Sequence, residues 1–140
     1  MKSHSFSLVE LMIVAIIVAI LAAVAVVLMR GHTTRAMATE AYGAMGTIRT
    51  ALRINYAETR DYGKRSDGTA IDCTNLPGLK ARDPTTPGDL DGRYWDQDCY
   101  QLAFPTPDTY VITATGKSDG PTDGVTITLT ETGTFTKTGF

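Results

Sequence analysis

Hydrophobic and polar residues are distributed unevenly along this chain, and the first third is its most apolar part. Every residue from Leu11 to Met29 is apolar, in the run LMIVAIIVAILAAVAVVLM. As a helix rising about 1.5 Å per residue, such a run crosses roughly 30 Å, the thickness of the hydrocarbon core of a bilayer. The pattern predicts one membrane-spanning helix, and the run is too long for the apolar part of an ordinary secretory signal.

A second pattern follows Gly31, where apolar residues recur every three or four positions with polar residues between them. This spacing is typical of one face of an amphipathic helix. We therefore expect the apolar helix to continue beyond the membrane and to present an apolar stripe to a sheet. The stripe comprises Met37, Ala41, Met45, Ile48, Leu52 and Tyr56.

The C-terminal half has the composition of loops and strands. After Tyr62 it is rich in Gly, Pro, Asp and Thr, which predicts a connecting loop. Four runs of strand-forming residues then alternate with turn-rich segments, as in an antiparallel sheet. The segment Glu131-Thr132-Gly133 has the length and the glycine of a three-residue hairpin loop with a bulge. The predicted strands are Tyr94 to Phe104, Tyr110 to Thr115, Val125 to Thr130 and Thr134 to Thr138.

Threonine occupies every second position of the last hairpin, from Thr126 to Thr138. Side chains alternate between the two faces of a strand, so one face is all hydroxyl and methyl. A solvated strand face accounts for this pattern, and a face that binds a surface or an ordered water layer is the alternative. The other face, which we expect to cover the helix, carries Val125, Ile127, Leu129 and Phe135.

Charge and composition argue against several classes of function. The chain has 13 Lys and Arg against 15 Asp and Glu, a formal charge of -2, so nucleic-acid binding is not implied. Beyond the first few residues the chain has one histidine, His32, and no phosphate-binding glycine loop. We therefore expect no catalytic site and no enzyme activity.

Aspartates cluster in the connecting region and could be read as ligands of a metal ion. The spacing does not fit an EF-hand, and Asp-Gly pairs are ordinary turn chemistry. We therefore expect no cofactor and leave a calcium site as the alternative. The aspartates in question are Asp89, Asp91, Asp96 and Asp98, followed by Asp119 and Asp123.

Two cysteines, Cys73 and Cys99, lie in the C-terminal half and are too far apart to form a CxxC redox or zinc pair. If this half is exported, a structural disulfide between them is the expected state, and it would contribute about 3 kcal/mol by closing a long loop. In a reducing cytosol they would be two buried thiols.

The segment SFSLVELMIVAII, from Ser5 to Ile17, resembles the class III signal of type IV prepilins and pseudopilins. By this resemblance a prepilin peptidase cleaves between Ser5 and Phe6, and the new amine of Phe6 is methylated. The resemblance also places Glu10 at the fifth mature position, where its carboxylate pairs with the Phe6 amine of a neighbouring subunit during assembly.

The chain departs from the family pattern at three positions. Ser5 stands before the cleavage point, where glycine is usual. Ala19 and Val27 stand where many major pilins have a glycine and a proline in the apolar helix. Without these helix breakers the spanning segment should be stiffer, a pattern that also suits minor pilins and pseudopilins.

Glu10 also has a local interpretation. Ser7-x-x-Glu10 has the spacing of a capping box, which would satisfy unpaired amides at the start of the helix. Both roles are compatible. The capping box alone, however, explains neither the short leader nor the unbroken apolar run after it.

Together these patterns predict an α+β, type IV pilin-like fold: a long N-terminal helix packed on a small antiparallel sheet. The expected function is that of a structural subunit of a type IV pilus, which is stored in the inner membrane and then polymerises with itself into an extracellular filament. Its expected partners are the prepilin peptidase, the inner-membrane assembly machinery and the membrane. A type II secretion pseudopilin or minor pilin is the nearest alternative, and a single-span sensor with an exported ligand-binding domain is another. The expected divisions are a leader (1–5), the membrane and filament-core half of the helix (6–29), its amphipathic half (30–61), a connecting loop region (62–93) and the sheet (94–140).

Overall fold

The computed structural model describes residues 7–139, and at positions 27, 28, 30–32 and 34 it describes the backbone alone. Ser5 and Phe6, the predicted cleavage and methylation site, therefore lie outside the described residues. The chain divides into two compact units, Met1–Ala36 and Met37–Phe140.

The first helix, α1, extends from Leu8 to Thr59. Within the first unit the apolar side chains that the structure describes are exposed, with Leu8 at 74% and Leu21 at 64% of their full accessible surface. Among the described residues, Leu8–Val26 is the one segment long and apolar enough to cross a membrane. No glycine or proline interrupts it.

In the second unit the predicted stripe of α1 is buried. Ala41, Met45, Ile48 and Leu52 have no accessible surface, whereas Tyr56 is only partly buried. The four buried residues belong to one apolar core together with Trp95 and the inward-facing residues of the sheet. The prediction of a helix packed on a sheet is confirmed, and with it the α+β class.

The sheet has four antiparallel strands in the order β1-β2-β3-β4. The strands are β1 (Tyr100–Thr106), β2 (Thr109–Thr115), β3 (Thr126–Thr130) and β4 (Phe135–Thr138). Ile112 pairs with Leu102 on one side and with Leu129 on the other, which aligns the apolar residues of three strands on the helix side. Residues Thr113 and Thr128 pair on the opposite face.

The predicted first strand is wrong over its first part. It begins at Tyr100, not Tyr94, because residues Gln97–Cys99 form a 3-10 turn. Trp95 and Gln97 are both buried and lie two positions apart, which is the burial pattern expected of a strand. The backbone amides of both residues are instead bound by carboxylates outside the sheet.

The β3–β4 hairpin has the predicted loop. The N–H of Gly133 donates to the carbonyl of Thr130 at 2.9 Å, and Gly133 has a φ of 89°, which glycine adopts without a steric cost. The expectation that the inner face of the sheet is fully covered is wrong at Phe135, which lies on the edge strand β4 and is 43% exposed.

Candidate functional site

The beginning of α1 is organised around Glu10. The backbone N–H of Ser7 donates to Oε2 of Glu10 at 3.1 Å, and the N–H of Leu11 donates to the carbonyl of Ser7 at 3.2 Å. Ser7 is thus the N-cap, and the Glu10 side chain turns back to a backbone donor as in a capping box. The local interpretation of Glu10 is supported by this geometry.

The carboxylate of Glu10 is also exposed and lies in the first turn of the helix. No ion pair formed by described residues includes it. A carboxylate at the edge of hydrocarbon is costly without a cationic partner. Pairing with the amine of Phe6 stays a prediction, because Phe6 lies outside the described residues.

Beyond Glu10 the helix is an uncovered apolar surface. Ile13, Ile17 and Val24 are all more than half exposed, at 51%, 51% and 56%. Burying such surface, in lipid or against another protein, is favourable by roughly 25 cal/mol per Å². This segment fits membrane anchoring, and it offers one continuous surface for helix packing.

Four of the aspartates considered as calcium ligands, Asp89, Asp91, Asp96 and Asp98, form ion pairs or accept backbone hydrogen bonds. Arg82 is within 3.6 Å of Asp91 and Asp96 and 2.8 Å of Asp98. Lys117 pairs with Asp96 as well. Among the described residues no group of three or more His, Cys, Asp or Glu is arranged to hold a metal ion. Asp89 and Asp91 thus bind backbone N–H groups of the connecting segment, and Asp91, Asp96 and Asp98 surround the charge of Arg82.

Glu40 is an organising residue that the sequence patterns did not reveal. Its Oε1 accepts hydrogen bonds from the N–H groups of Tyr94 at 2.8 Å and Trp95 at 2.9 Å. The indole N–H of Trp95 donates to the carbonyl of Met37 at 2.9 Å. A Cβ on Gly92 would lie 2.2 Å from the same carboxylate oxygen. A carboxylate beside the apolar stripe was the available signal, but its partners are more than fifty positions away.

Asn55, at the C-terminal end of α1, is a second organising residue that the sequence patterns did not reveal. Asn55 is 3% exposed, and its Nδ2 donates to the carbonyls of Asp61 at 2.7 Å and Lys64 at 2.8 Å. Arg60 follows the helix with a φ of 58°, as expected at the C′ position. These bonds fix the direction in which the chain leaves the helix.

Both cysteines are free thiols in the structure. Cys99 is buried, and Sγ of the half-buried Cys73 donates to the carbonyl of Tyr100 at 3.2 Å. Cys73 thus lies beside the residue that follows Cys99. Burial raises the pKa of the Cys73 thiol to about 11, with a smaller contribution from the Asp72 charge. The disulfide stays a prediction.

Residues 1–26 match the family model of the prokaryotic N-terminal methylation motif. No curated protein and no solved structure shows a significant match to the chain. The matched segment includes Ser5, Phe6 and Glu10, and the motif implies processing by a prepilin peptidase. The resemblance predicted from the sequence is therefore confirmed. Over these residues the chain is consistent with the class III signal of the type IV pilin family, and the motif supports a type IV pilin-like or pseudopilin precursor.

Proposed function

We propose that this chain is the structural subunit of a type IV pilus, which polymerises through its N-terminal helix into an extracellular filament. The observation that carries the proposal is the combination of the methylation motif over residues 1–26 with an exposed apolar helix over Leu8–Val26. A helix of this kind can exchange lipid for the helices of other copies, because both environments are apolar.

Assembly follows from the physical chemistry of Glu10 and the leader. Cleavage between Ser5 and Phe6 creates a cationic chain start, which stays cationic after one methyl group is added. In the proposed filament this amine docks on Glu10 of a neighbouring copy, so each contact neutralises two charges in an apolar environment. The charge pair sets the axial register, and apolar contact along the helices supplies most of the stabilisation.

We propose that the subunit is first inserted in the inner membrane. The apolar helix holds it there with the second unit exported, and assembly machinery extracts it into the filament. Export brings Cys73 and Cys99 into an oxidising compartment, where we propose that they pair. Mass spectrometry of unreduced peptides tests this pairing, and recovery of both cysteines as alkylated thiols would contradict it.

A type II secretion pseudopilin or minor pilin is favoured by one observation. The segment Leu8–Val26 is an uninterrupted helix, and Ala19 stands in place of the glycine found in many major pilins. Such a subunit would use the same assembly chemistry in a short or mixed filament.

Abundance distinguishes these alternatives. Filaments sheared from the surface of native cells should contain this chain as their main protein if it is a major pilin. A trace of the chain in filaments made of another subunit identifies a minor pilin. Recovery in the membrane fraction alone, with no filament of either kind, contradicts the proposal.

A further inference from the structure

The second unit has a small notch between α1 and the β3–β4 hairpin. Tyr42, Gly46 and Arg49 lie on one face of the helix, since they are four and three positions apart. The hairpin faces them: the rings of Tyr42 and Phe135 meet edge to face with centroids 4.8 Å apart. Further along, a Cβ on Gly133 would lie 2.9 Å from Nη2 of Arg49. These five residues define the notch.

Gly46 leaves the floor of the notch open. No side chain or other backbone lies within 4 Å of the position that its Cβ would occupy. Packing within the subunit therefore does not require glycine here, although glycine is a poor helix former. Phe135 is 43% exposed at the rim. The notch has space and an apolar rim.

Arg49 provides the notch with a charge that the described residues leave unpaired. Its Nε is buried without a hydrogen bond of normal geometry, its side chain interacts with the buried Tyr110 hydroxyl, and its Nη2 donates to the carbonyl of Glu131 at 3.3 Å. The ion pairs of the described residues involve Arg82 and Lys117, not Arg49. A half-buried guanidinium without a carboxylate is energetically unfavourable, and its planar fork matches a carboxylate in shape.

The last residues that the structure describes lie away from Arg49. Thr138 pairs with Thr126, at the end of the hairpin opposite to the Glu131 loop. A Cβ on Gly139 would lie 2.1 Å from the carbonyl of Gly124. Thr138 and Gly139 are therefore at the opposite end of the hairpin from Arg49.

We infer that the notch receives a carboxylate-bearing segment of a second copy of this chain, with Arg49 pairing its acid. This inference rests on the proposed function, because a filament brings copies into contact at high effective concentration. Charge complementarity identifies the chemistry, and the chain offers exposed acids such as Glu58 and Asp123. Tyr, Phe and Arg are also the residue types enriched in the centres of protein interfaces.

The first test compares wild type, Arg49→Gln and Arg49→Lys in producing cells. Sheared filaments are quantified, and thermal unfolding is measured on full-length subunits in detergent. Arg49→Gln should unfold at the same or a higher temperature, because an unpaired cation is removed, and yet yield about tenfold fewer filaments. Arg49→Lys keeps the charge and should yield clearly more filaments than Arg49→Gln. A merely structural role for Arg49 would instead lower the unfolding temperature.

The second test fills the notch without touching its charge. Gly46→Leu should give a folded subunit, since the space is open, but few filaments. Gly43→Leu is the matched control, because Gly43 is equally open and lies outside the notch.

Normal filament yield from Arg49→Gln or Gly46→Leu, or equal loss from the two leucine variants, would overturn the inference. Unfolding of Gly46→Leu alone would also overturn it, since the notch would then lack the required space. Failure of wild type itself to form filaments would refute the proposed function instead.

Discussion

At the residue scale, Glu10 combines a local role with a proposed role between subunits. Its side chain accepts a hydrogen bond from the Ser7 backbone, which a glutamine in the same place could also accept. Only a carboxylate can neutralise the chain start of the next copy. The two roles are therefore separable by a single substitution.

Glu10→Gln should keep the helix start and abolish most filament formation, because the amide carries no charge. Filament yield at equal subunit abundance is the measurement. Ser7→Ala is the matched control: it removes the cap hydroxyl, keeps the carboxylate and should assemble. Wild-type yield from Glu10→Gln would show that the charge pair is not required.

Glu40 gives a residue-scale prediction for stability. Glu40→Ala leaves the backbone N–H groups of Tyr94 and Trp95 without their acceptor and should lower the free energy of unfolding by about 2 kcal/mol. Glu40→Gln retains an acceptor oxygen and should cost less. Denaturant unfolding of the two variants is the check, and equal stability of Glu40→Ala and wild type would exclude the anchoring role.

At the element scale, the β3–β4 loop depends on one glycine. Gly133→Ala should destabilise the second unit by about 1–2 kcal/mol, since an alanine Cβ is strained at positive φ and would press on Arg49. Gly43→Ala, in the open helix interior, should stabilise by about 1 kcal/mol. Unfolding temperatures should shift in opposite directions, and a shift in the same direction would contradict the assigned geometry.

The elements that local patterns specify were predictable. The spacing from Ala41 to Leu52 and the glycine of the last hairpin identify the buried stripe and the loop from sequence alone. The region from Tyr94 to Cys99 was not predictable, because Trp95 and Gln97 alternate like a strand while their amides bind carboxylates outside the sheet, that of Glu40 far along the chain and that of Asp91 nearby.

The candidate site was predictable in part for the same reason. The methylation motif lies in one short segment, so its residues are adjacent in sequence. Glu40 acts through partners more than fifty positions away, and Arg82 through carboxylates within the same region; no spacing rule connects either residue to its partners. Arg49 was visible only as one polar residue between stripe positions.

At the scale of the whole molecule, carboxylates make the second unit sensitive to acid. Burial opposes ionisation of Asp91, but the N–H groups of Gln97 and Gly88 and the charge of Arg82 outweigh it and lower its pKa. Hydrogen bonds from Thr74 likewise lower the pKa of Asp72, more than burial raises it.

A carboxyl group with a depressed folded-state pKa stabilises the fold above its unfolded value, about 3.9 for aspartate, and this stabilisation is lost as the pH falls through the folded value. The denaturant concentration at the unfolding midpoint should therefore be constant near neutral pH and should decrease once the pH is lower than about 4. The Asp91→Asn variant should lose less stability than wild type on acidification, because it has no carboxyl group to protonate at this position. A midpoint that rises in acid would contradict the assigned pKa directions.

The central claim is that the chain is trimmed, modified at its new N-terminus and assembled with itself. Intact-mass measurement of the chain from sheared native filaments tests it most directly. The account predicts a mass lacking Met1 to Ser5 and carrying one added methyl group. A full-length chain that keeps its leader and occurs only in the membrane would contradict the account and favour the single-span sensor.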